Sequence, residues 1–254
     1  MIRRALLLAL AALLLAAGIA DAAPTMRWRL LAVRPHDPTA FTEGLVAHGG
    51  VLLESTGLYG ASDVRRVAPR TGVVLARQAI DPSLFGEGLT VLRGTAYQLT
   101  WNEHRLLGYD PATLGLARAT AYPFVGWGLT TDGTSLIASD GTATVRWLDP
   151  ATLAVRRSIR VHEGRRAIGQ INELELRGGL LWANVWHSDR IALIDPRSGR
   201  VRAWLDLAPL RALLPVPGEV LNGIARDPIT GRTVVTGKYW ARLFVIRLVG
   251  RVPR

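Results

Sequence analysis

The sequence contains no cysteine, which excludes a disulfide framework, a zinc–thiolate site, iron–sulfur ligation and a thiol nucleophile. Glycine and proline are neither scarce nor dominant, with 26 and 14 residues in a chain of 254, and 20% of the residues are charged. These values exclude collagen-like and disordered chains. The 49% of hydrophobic residues is enough for one large core or two modest ones.

Lysine is nearly absent: 30 of the 31 basic side chains are arginines, and Lys238 is the exception. The formal net charge is +11, but the arginines occur singly or in pairs such as Arg65-Arg66, separated by apolar and acidic residues. Nucleic-acid-binding proteins concentrate positive charge on one helix or stripe. We therefore predict a solvated cationic surface and no nucleic-acid partner, while an acidic partner or an anionic envelope surface stays open.

The N-terminal apolar run, residues 5–17, is too short to cross a bilayer as a helix, because its 13 residues fall below the about 20 that are needed. Arg3 and Arg4 precede it, and Ala20-Asp21-Ala22 follows it as a small-x-small cleavage site. We predict a signal peptide over residues 1–22, one mature domain over residues 23–254, no membrane anchor, and a periplasmic or secreted location.

The rest of the chain repeats a strand–turn–strand pattern. The prolines of four equivalent turns, Pro69, Pro111, Pro150 and Pro196, are 42, 39 and 46 residues apart. A second marker opens five units: Glu43-Gly44-Leu45, Glu87-Gly88-Leu89, Trp127-Gly128-Leu129, Asn172-Glu173-Leu174 and Asn222-Gly223-Ile224. Repeats of about 40–50 residues are typical of propeller blades.

The fifth unit lacks an outer strand. Its predicted strands, 221–227, 233–238 and 243–248, reach almost to the last residue, while the alternating strand 27–34 has no partner within its own unit. Pairing 27–34 with 243–248 would remove two exposed strand edges. We predict an all-β fold, a five-bladed β-propeller closed by its N-terminal strand, with 205–214 as the best short-helix candidate. An open β-sandwich would leave the period unexplained.

Equivalent positions of the repeats should converge on the propeller axis, since the first strand of each blade is innermost. At the start of that strand stand polar or aromatic residues: Glu43, Glu87, Trp127, Asn172 and Asn222. The loops after the second strands add Trp101, Trp182, Trp186, Lys238, Tyr239 and Trp240. Aromatic walls with a few polar groups are typical of a small-ligand site, although tryptophans also pack between blades and asparagines also satisfy strand ends.

Glu87 is the strongest catalytic candidate. It lies between Gly86 and Gly88, where the backbone can approach a ligand closely. Glu43 occupies the equivalent position of the repeat one blade away. When two carboxylates share one channel, their mutual repulsion raises the pKa of one of them. The single lysine, Lys238, suits a position where a compact ammonium holds a carboxylate or polarises a carbonyl. Because no His-x-His or His-x-x-x-His spacing occurs, we predict no catalytic zinc.

Several stretches, taken together, resemble the glutamine cyclotransferases of the plant and bacterial type. The matching stretches include Phe41-Thr42-Glu43-Gly44-Leu45, Phe85-Gly86-Glu87-Gly88-Leu89, Leu99-Thr100-Trp101, Gly126-Trp127-Gly128, Ile171-Asn172-Glu173-Leu174, Asn184-Val185-Trp186, Leu221-Asn222-Gly223 and Gly237-Lys238-Tyr239-Trp240. The resemblance implies a five-bladed propeller enzyme that converts N-terminal glutaminyl residues of peptides or proteins to pyroglutamyl residues and releases ammonia. It also implies no required cofactor, although some members hold a structural metal such as calcium near the axis.

The resemblance also implies roles for individual residues. Its general acid/base falls on Glu87, its amide-binding asparagine on Asn172 and its lysine on Lys238. Its substrate-binding positions fall on Phe41, Glu43, Phe85, Trp101, Trp127 and Trp186, and Glu43 stands where plant members carry glutamine. We expect a monomer.

Two other classes of function remain open. One is a non-catalytic propeller that binds exported peptides. The other is a metal-dependent, lactonase-type hydrolase whose ligands would be Glu43, Glu87, Asn172 and Asn222.

Overall fold

The structure is a computed structural model that describes residues 22–253. The predicted signal peptide, residues 1–22, lies outside the described residues apart from Ala22. The strands are β1 (Arg27–Pro35), β2 (Thr42–His48), β3 (Val51–Thr56), β4 (Asp63–Val67), β5 (Val74–Ala79), β6 (Gly86–Leu92), β7 (Thr95–Thr100), β8 (Arg105–Tyr109), β9 (Leu116–Ala121), β10 (Leu129–Thr131), β11 (Leu136–Ser139), β12 (Thr144–Leu148), β13 (Val155–Arg160), β14 (His162–Glu163), β15 (Arg166–Ala167), β16 (Ile171–Arg177), β17 (Leu180–Val185), β18 (Arg190–Ile194), β19 (Val201–Asp206), β20 (Leu221–Arg226), β21 (Thr233–Gly237) and β22 (Arg242–Val249).

Five four-stranded sheets form the blades, which confirms the predicted propeller. They are blade 1 (β2–β5), blade 2 (β6–β9), blade 3 (β10–β13), blade 4 (β16–β19) and blade 5 (β20–β22 with β1). The innermost strands β2, β6, β10, β16 and β20 contact one another in sequence, and β20 contacts β2, so that the ring is closed. A small hairpin, β14–β15, lies between blades 3 and 4.

The N-terminal strand closes the last blade, as predicted. β1 pairs antiparallel with β22, with Arg27 opposite Val249 and Pro35 opposite Arg242. The chain just before β1 bonds to blade 4 instead, because the Met26 N–H donates to the Trp204 carbonyl over 2.7 Å. The N-terminal segment therefore joins the outer edges of two neighbouring blades.

The core consists of apolar clusters at the boundaries between neighbouring blades, since each sheet buries both of its faces. Trp182 and Trp240 belong to the cluster between blades 4 and 5. Their predicted place in the axial channel is therefore wrong. Trp182 lies within β17, where alternation turns its side chain toward the neighbouring blade, and the Trp240 indole N–H donates to the Glu219 carbonyl over 2.9 Å.

The predicted short helix is only partly right. β19 continues to Asp206, and a 3-10 helix then covers Ala208–Leu213. Leu205 pairs with Ile191 in the sheet of blade 4, so it is not available to start a helix. Between residues 22 and 253, no helix has the length and apolar character needed to cross a membrane.

A layer of glycines closes the axis. Gly44, Gly88, Gly128 and Gly223 occupy equivalent positions in four blades, and Glu173 occupies the fifth. A Cβ atom on Gly44 would lie 2.4 Å from the Leu89 nitrogen, and one on Gly128 would lie 2.0 Å from the Asn172 carbonyl oxygen. The Glu173 side chain fills the remaining space, fully buried, and its Oε2 accepts the Ile224 N–H over 2.8 Å.

An unforeseen ion pair stabilises the seam between blades 5 and 1. His36 is buried with its Nε2 2.9 Å from Glu54 Oε1 and its Nδ1 2.6 Å from the Trp240 carbonyl oxygen. Burial disfavours the charged forms of both His36 and Glu54. For each group, however, the charge and the hydrogen bonds of its neighbours together have the larger effect on the pKa. The carboxylate of Glu54 thus raises the pKa of His36, and the imidazolium lowers the pKa of Glu54.

This pair makes stability depend on pH. The contribution of His36 is fully present below its unfolded pKa of 6.5 and is lost as the pH rises through its raised folded value. The contribution of Glu54 is present above its unfolded pKa of 4.5 and is lost as the pH falls through its lowered folded value. The stabilisation is therefore largest between pH 4.5 and 6.5.

His36→Gln should lower the free energy of unfolding by about 3–5 kcal/mol at pH values near 5.5, because it leaves a buried carboxylate without its counter-charge. The loss should shrink at alkaline pH, where wild-type His36 is neutral. Urea unfolding at both pH values measures it, with the exposed His48 changed to glutamine as the control. A loss that is independent of pH would contradict the ion-pair interpretation.

Candidate active site

The pocket lies at the end of the axis where the innermost strands begin, and three sets of equivalent positions build it. The first set lies at the start of the innermost strand, or in blade 3 two residues before it, and contributes Glu43, Glu87, Trp127 and Asn172 from four blades. The second set, two residues earlier, contributes Phe41 and Phe85. The third set is the first residue after the second strand and contributes Trp101, Trp186 and Lys238.

One backbone hydrogen bond joins the second and third sets in four of the blades. The donors and acceptors are Gly57 N–H to Phe41 C=O (2.8 Å), Trp101 N–H to Phe85 C=O (3.0 Å), Trp186 N–H to Gln170 C=O (2.8 Å) and Lys238 N–H to Val220 C=O (3.0 Å). Because these bonds involve only the backbone, the pocket side chains can vary from blade to blade while their positions stay the same.

β-Bulges direct four side chains toward the axis. The pairing of the first and second strands shifts register between Thr42 and Gly44 in blade 1 and between Gly86 and Leu89 in blade 2. Equivalent shifts flank Asn172 and Asn222 in blades 4 and 5. A bulge leaves its extra residue outside the hydrogen-bond ladder and reorients that side chain. The side chains of Glu43, Glu87 and the two asparagines therefore do not follow the alternating directions of the other side chains in their strands.

Glycine makes room for the aromatic rings. A Cβ atom on Gly57 would lie 2.4 Å from Cε1 of Phe85, and one on Gly141 would lie 2.7 Å from Cζ2 of Trp127. Any larger residue at these positions would displace a wall of the pocket.

The cavity measures about 200 Å³ and brings together all nine site residues predicted from the sequence. Its walls are Phe41, Glu43, Phe85, Glu87, Trp101, Trp127, Asn172, Trp186 and Lys238. The rings meet edge to face: the Phe41 and Phe85 centroids are 6.1 Å apart, and those of Trp127 and Trp186 are 5.5 Å apart. A larger depression of about 460 Å³ at the opposite end of the axis contains none of these residues.

An ion pair forms one side of the pocket. Lys238 Nζ lies 2.5 Å from Glu43 Oε1 and 4.2 Å from the centroid of the Phe41 ring. Asn222 Nδ2 donates to Glu43 Oε2 over 3.1 Å and to the Thr42 carbonyl over 2.9 Å, so Asn222 supports the pocket from outside it. Burial raises the pKa of Glu43 to about 7, although the charge of Lys238 opposes this shift.

Glu87 has no such partner. Glu87 is 5% exposed, and its Oε2 makes no hydrogen bond with any described residue. Burial, and then the negative charge of Glu43, raise the pKa of Glu87 well above its usual range, while Lys238 opposes them. Asn172 Oδ1 is likewise buried without a partner among residues 22–253. The pocket therefore offers two polar groups whose hydrogen bonds are unused.

The polar groups considered for a metal site do not suit a divalent cation. Glu43 is already bonded by the Lys238 ammonium, and Asn222 directs its nitrogen rather than its oxygen at Glu43. Within the described part of the chain, no three His, Cys, Asp or Glu side chains are grouped so that they could hold a metal ion. The residues at this end of the axis thus do not fit the structural calcium or the hydrolase metal considered above.

Two residues at the mouth of the pocket, Tyr59 and Glu103, were not singled out from the sequence, whereas Tyr239 was placed in one of its loops. Tyr59 contacts Phe85 with ring centroids 5.5 Å apart, and Tyr239 contacts Phe41 at 5.3 Å. Glu103 accepts hydrogen bonds from Tyr59 and from the Phe85 backbone. Tyr59 and Glu103 lie two residues beyond Gly57 and Trp101 in the loops after the second strands. The equivalent residues of the other blades are of different types, so no periodic signal indicated either residue.

Comparison with known proteins identifies the family. The family described as glutamine cyclotransferase matches residues 4–248. A glutaminyl-peptide cyclotransferase of Arabidopsis thaliana is 43% identical over 220 residues, which cover 84% of this chain and 69% of that protein. The crystal structure of Myxococcus xanthus glutaminyl cyclase matches with a TM-score of 0.82 and 33% identity, over 89% of this chain and 98% of that one. Because the family match spans almost the whole sequence, the chain belongs to the glutamine cyclotransferase family.

Proposed function

We propose that this protein is a glutaminyl-peptide cyclotransferase that converts the N-terminal glutaminyl residue of peptides or proteins to pyroglutamyl with release of ammonia. The observation that carries the proposal is the buried Glu87 carboxyl, whose Oε2 has no hydrogen-bond partner among residues 22–253 and which lies among aromatic walls. Glu87 and Asn172 offer unused acceptors, and an N-terminal glutamine brings many donors, three on its ammonium and two on its side-chain amide.

The reaction is intramolecular, so positioning is a large part of catalysis. The α-amine attacks the side-chain amide carbon, a C–N bond forms to close the ring, and the original amide C–N bond breaks to release ammonia. By holding the substrate glutamine in its folded-back conformer, the pocket removes the need for the side chain to reach that conformer by chance among many rotamers. The flat faces of Trp101, Trp127 and Trp186 are suited to confining the amide and excluding water that would hydrolyse it.

Glu87 moves the proton. The substrate amine has a pKa of about 7.7–8.0, so it is mostly protonated at neutral pH and must lose a proton before it attacks. Glu87 accepts this proton and delivers it to the departing nitrogen, and the second proton that the ring nitrogen must lose passes to Glu87 and then to solvent. The raised pKa of the Glu87 carboxyl, caused first by burial, brings the two pKa values closer, which favours transfer in both directions.

Asn172 and Lys238 act on the amide. We assign the free Asn172 side chain to the substrate amide group. Lys238, which Glu43 holds by the ion pair, supplies positive charge for the oxygen that becomes negative in the tetrahedral intermediate. Glu43 thereby belongs to the substrate-binding set together with the aromatic residues.

We further propose that residues 1–22 act as a cleaved signal peptide and that residues 23–254 form the catalytic domain. The natural substrates would then be exported peptides or proteins that begin with glutamine.

Glu87→Gln should lower kcat by about 10²- to 10⁴-fold, the usual contribution of a general acid/base, with KM changed only a few-fold. Ammonia release from a Gln-Ala amide measures turnover, with an Asn-Ala amide as the control substrate. Calorimetric titration with the Gln peptide shows whether binding is retained. Wild-type turnover in the variant would remove Glu87 from the mechanism. Binding without turnover in the wild-type protein would instead favour a peptide-binding propeller.

Glu43→Gln should move the limb of the kcat/KM profile that belongs to Glu87 toward lower pH. The negative charge of Glu43 raises the pKa of Glu87, so its removal lowers that pKa, and Lys238, freed from its partner, lowers it further. The limb that belongs to the substrate amine should not move. Initial rates between pH 5 and 10 test this, and an unchanged profile or a shift to higher pH would contradict it.

A further inference from the structure

The peptide can leave the pocket in only one direction. The cavity of about 200 Å³ is smaller than the roughly 300–1,000 Å³ of sites for drug-sized ligands, and it accommodates a single residue. Toward the axis, the glycine layer and the buried Glu173 close it. If the N-terminal glutamine occupies the pocket, as the proposed function requires, the second residue of the substrate must cross the mouth.

Glu103 is held at this mouth by two hydrogen bonds. The Tyr59 hydroxyl donates to Glu103 Oε1 over 2.6 Å, and the Phe85 backbone N–H donates to Oε2 over 3.3 Å. Tyr59 is 53% exposed, and its ring contacts Phe85, one of the pocket walls. The arrangement fixes a partly exposed carboxylate beside the aromatic wall.

The loop that carries Tyr59 has a strained backbone. Leu58 adopts a φ of +93°, which is unfavourable for a residue with a side chain. The loops of blades 4 and 5 show the same feature at His187 (+60°) and Tyr239 (+59°), directly after the pocket residues Trp186 and Lys238. Strain of this kind concentrates at functional sites, where the surrounding structure maintains it.

The charge at the mouth differs from that of the rest of the surface. The protein has a net charge of +11. Near the pocket, however, the negative charge of Glu103 contributes to raising the pKa of Glu87, and that of Glu219 in blade 5 contributes to raising the pKa of Glu43. The nearby Arg65 is paired with Asp37 and Asp63 and is therefore not free to neutralise these carboxylates. A negative field at the mouth attracts a cationic side chain and repels an anionic one.

We propose that Glu103, held in place by Tyr59, is a specificity-determining residue that favours substrates with lysine or arginine directly after the N-terminal glutamine over those with aspartate or glutamate. The inference rests on the proposed function. It adds a substrate class defined by the charge of the second residue.

The test compares kcat/KM for three C-terminally amidated dipeptides, Gln-Lys, Gln-Ala and Gln-Glu, by ammonia release at low salt. We expect the wild-type protein to prefer Gln-Lys over Gln-Glu by about tenfold, since attraction and repulsion at an exposed site each contribute a few-fold. In Glu103→Gln the preference should fall to about twofold, with Glu219 accounting for the remainder. Tyr59→Phe should give an intermediate value, and 0.5 M salt should reduce the wild-type preference.

Asp110→Asn is the matched control. It removes the same charge from the turn at the other end of blade 2, and asparagine can still accept the Ala112 and Thr113 N–H bonds that Asp110 accepts. The preference of Asp110→Asn for Gln-Lys over Gln-Glu should equal that of the wild type. Turnover of Gln-Ala without any preference for Gln-Lys, or a preference that survives in Glu103→Gln, would overturn the proposal and leave the cyclotransferase assignment intact. No ammonia from any of the three peptides would overturn both.

Discussion

The close approach of five innermost strands at one axis is the constraint on which the site depends. At each boundary a hydrogen bond joins neighbouring blades: Ser55 Oγ to Glu87 C=O, Gly88 N–H to Trp127 C=O, Ser139 Oγ to Asn172 C=O, Gly223 N–H to Asn184 Oδ1 and Asn222 Nδ2 to Thr42 C=O. Each of these bonds involves the backbone at, or next to, a residue that lines the pocket or bonds to a residue that lines it. Closing the ring and arranging the active site are therefore one structural event.

The pocket combines features that stability alone would not favour. A buried polar atom without a hydrogen bond costs about 1–3 kcal/mol, and both Glu87 and Asn172 carry one. By contrast, the charges of Glu43 and Lys238 compensate each other, as do those of His36 and Glu54 at the seam. Glu87 and Asn172 present these atoms to the cavity, where a substrate would complete their hydrogen bonds, and the surrounding ring of bonded blades offsets their cost.

Much of the fold could be predicted because repetition is visible in a linear sequence. The five markers from Glu43 to Asn222 established the number of blades, and the unpaired strand at the N-terminus indicated how the ring closes. The same phase placed seven of the nine pocket residues at the axis, whereas Phe41 and Phe85 followed from the family resemblance. The phase failed for Trp182 and Trp240, because a count of repeats does not say whether a side chain faces the axis or the neighbouring blade.

The sequence by itself determined the class of fold, the period and the chemical types gathered at the axis, since each depends on residue identity and spacing along the chain. Only the tertiary structure decided which groups pair. Lys238 meets Glu43 across 195 positions, and Tyr59 meets Glu103 across 44. These contacts arise where bulges and loops of unequal length depart from the repeat. The pairings that set charge and proton affinity at the pocket follow from the closed ring, which brings residues distant in sequence to one end of its axis.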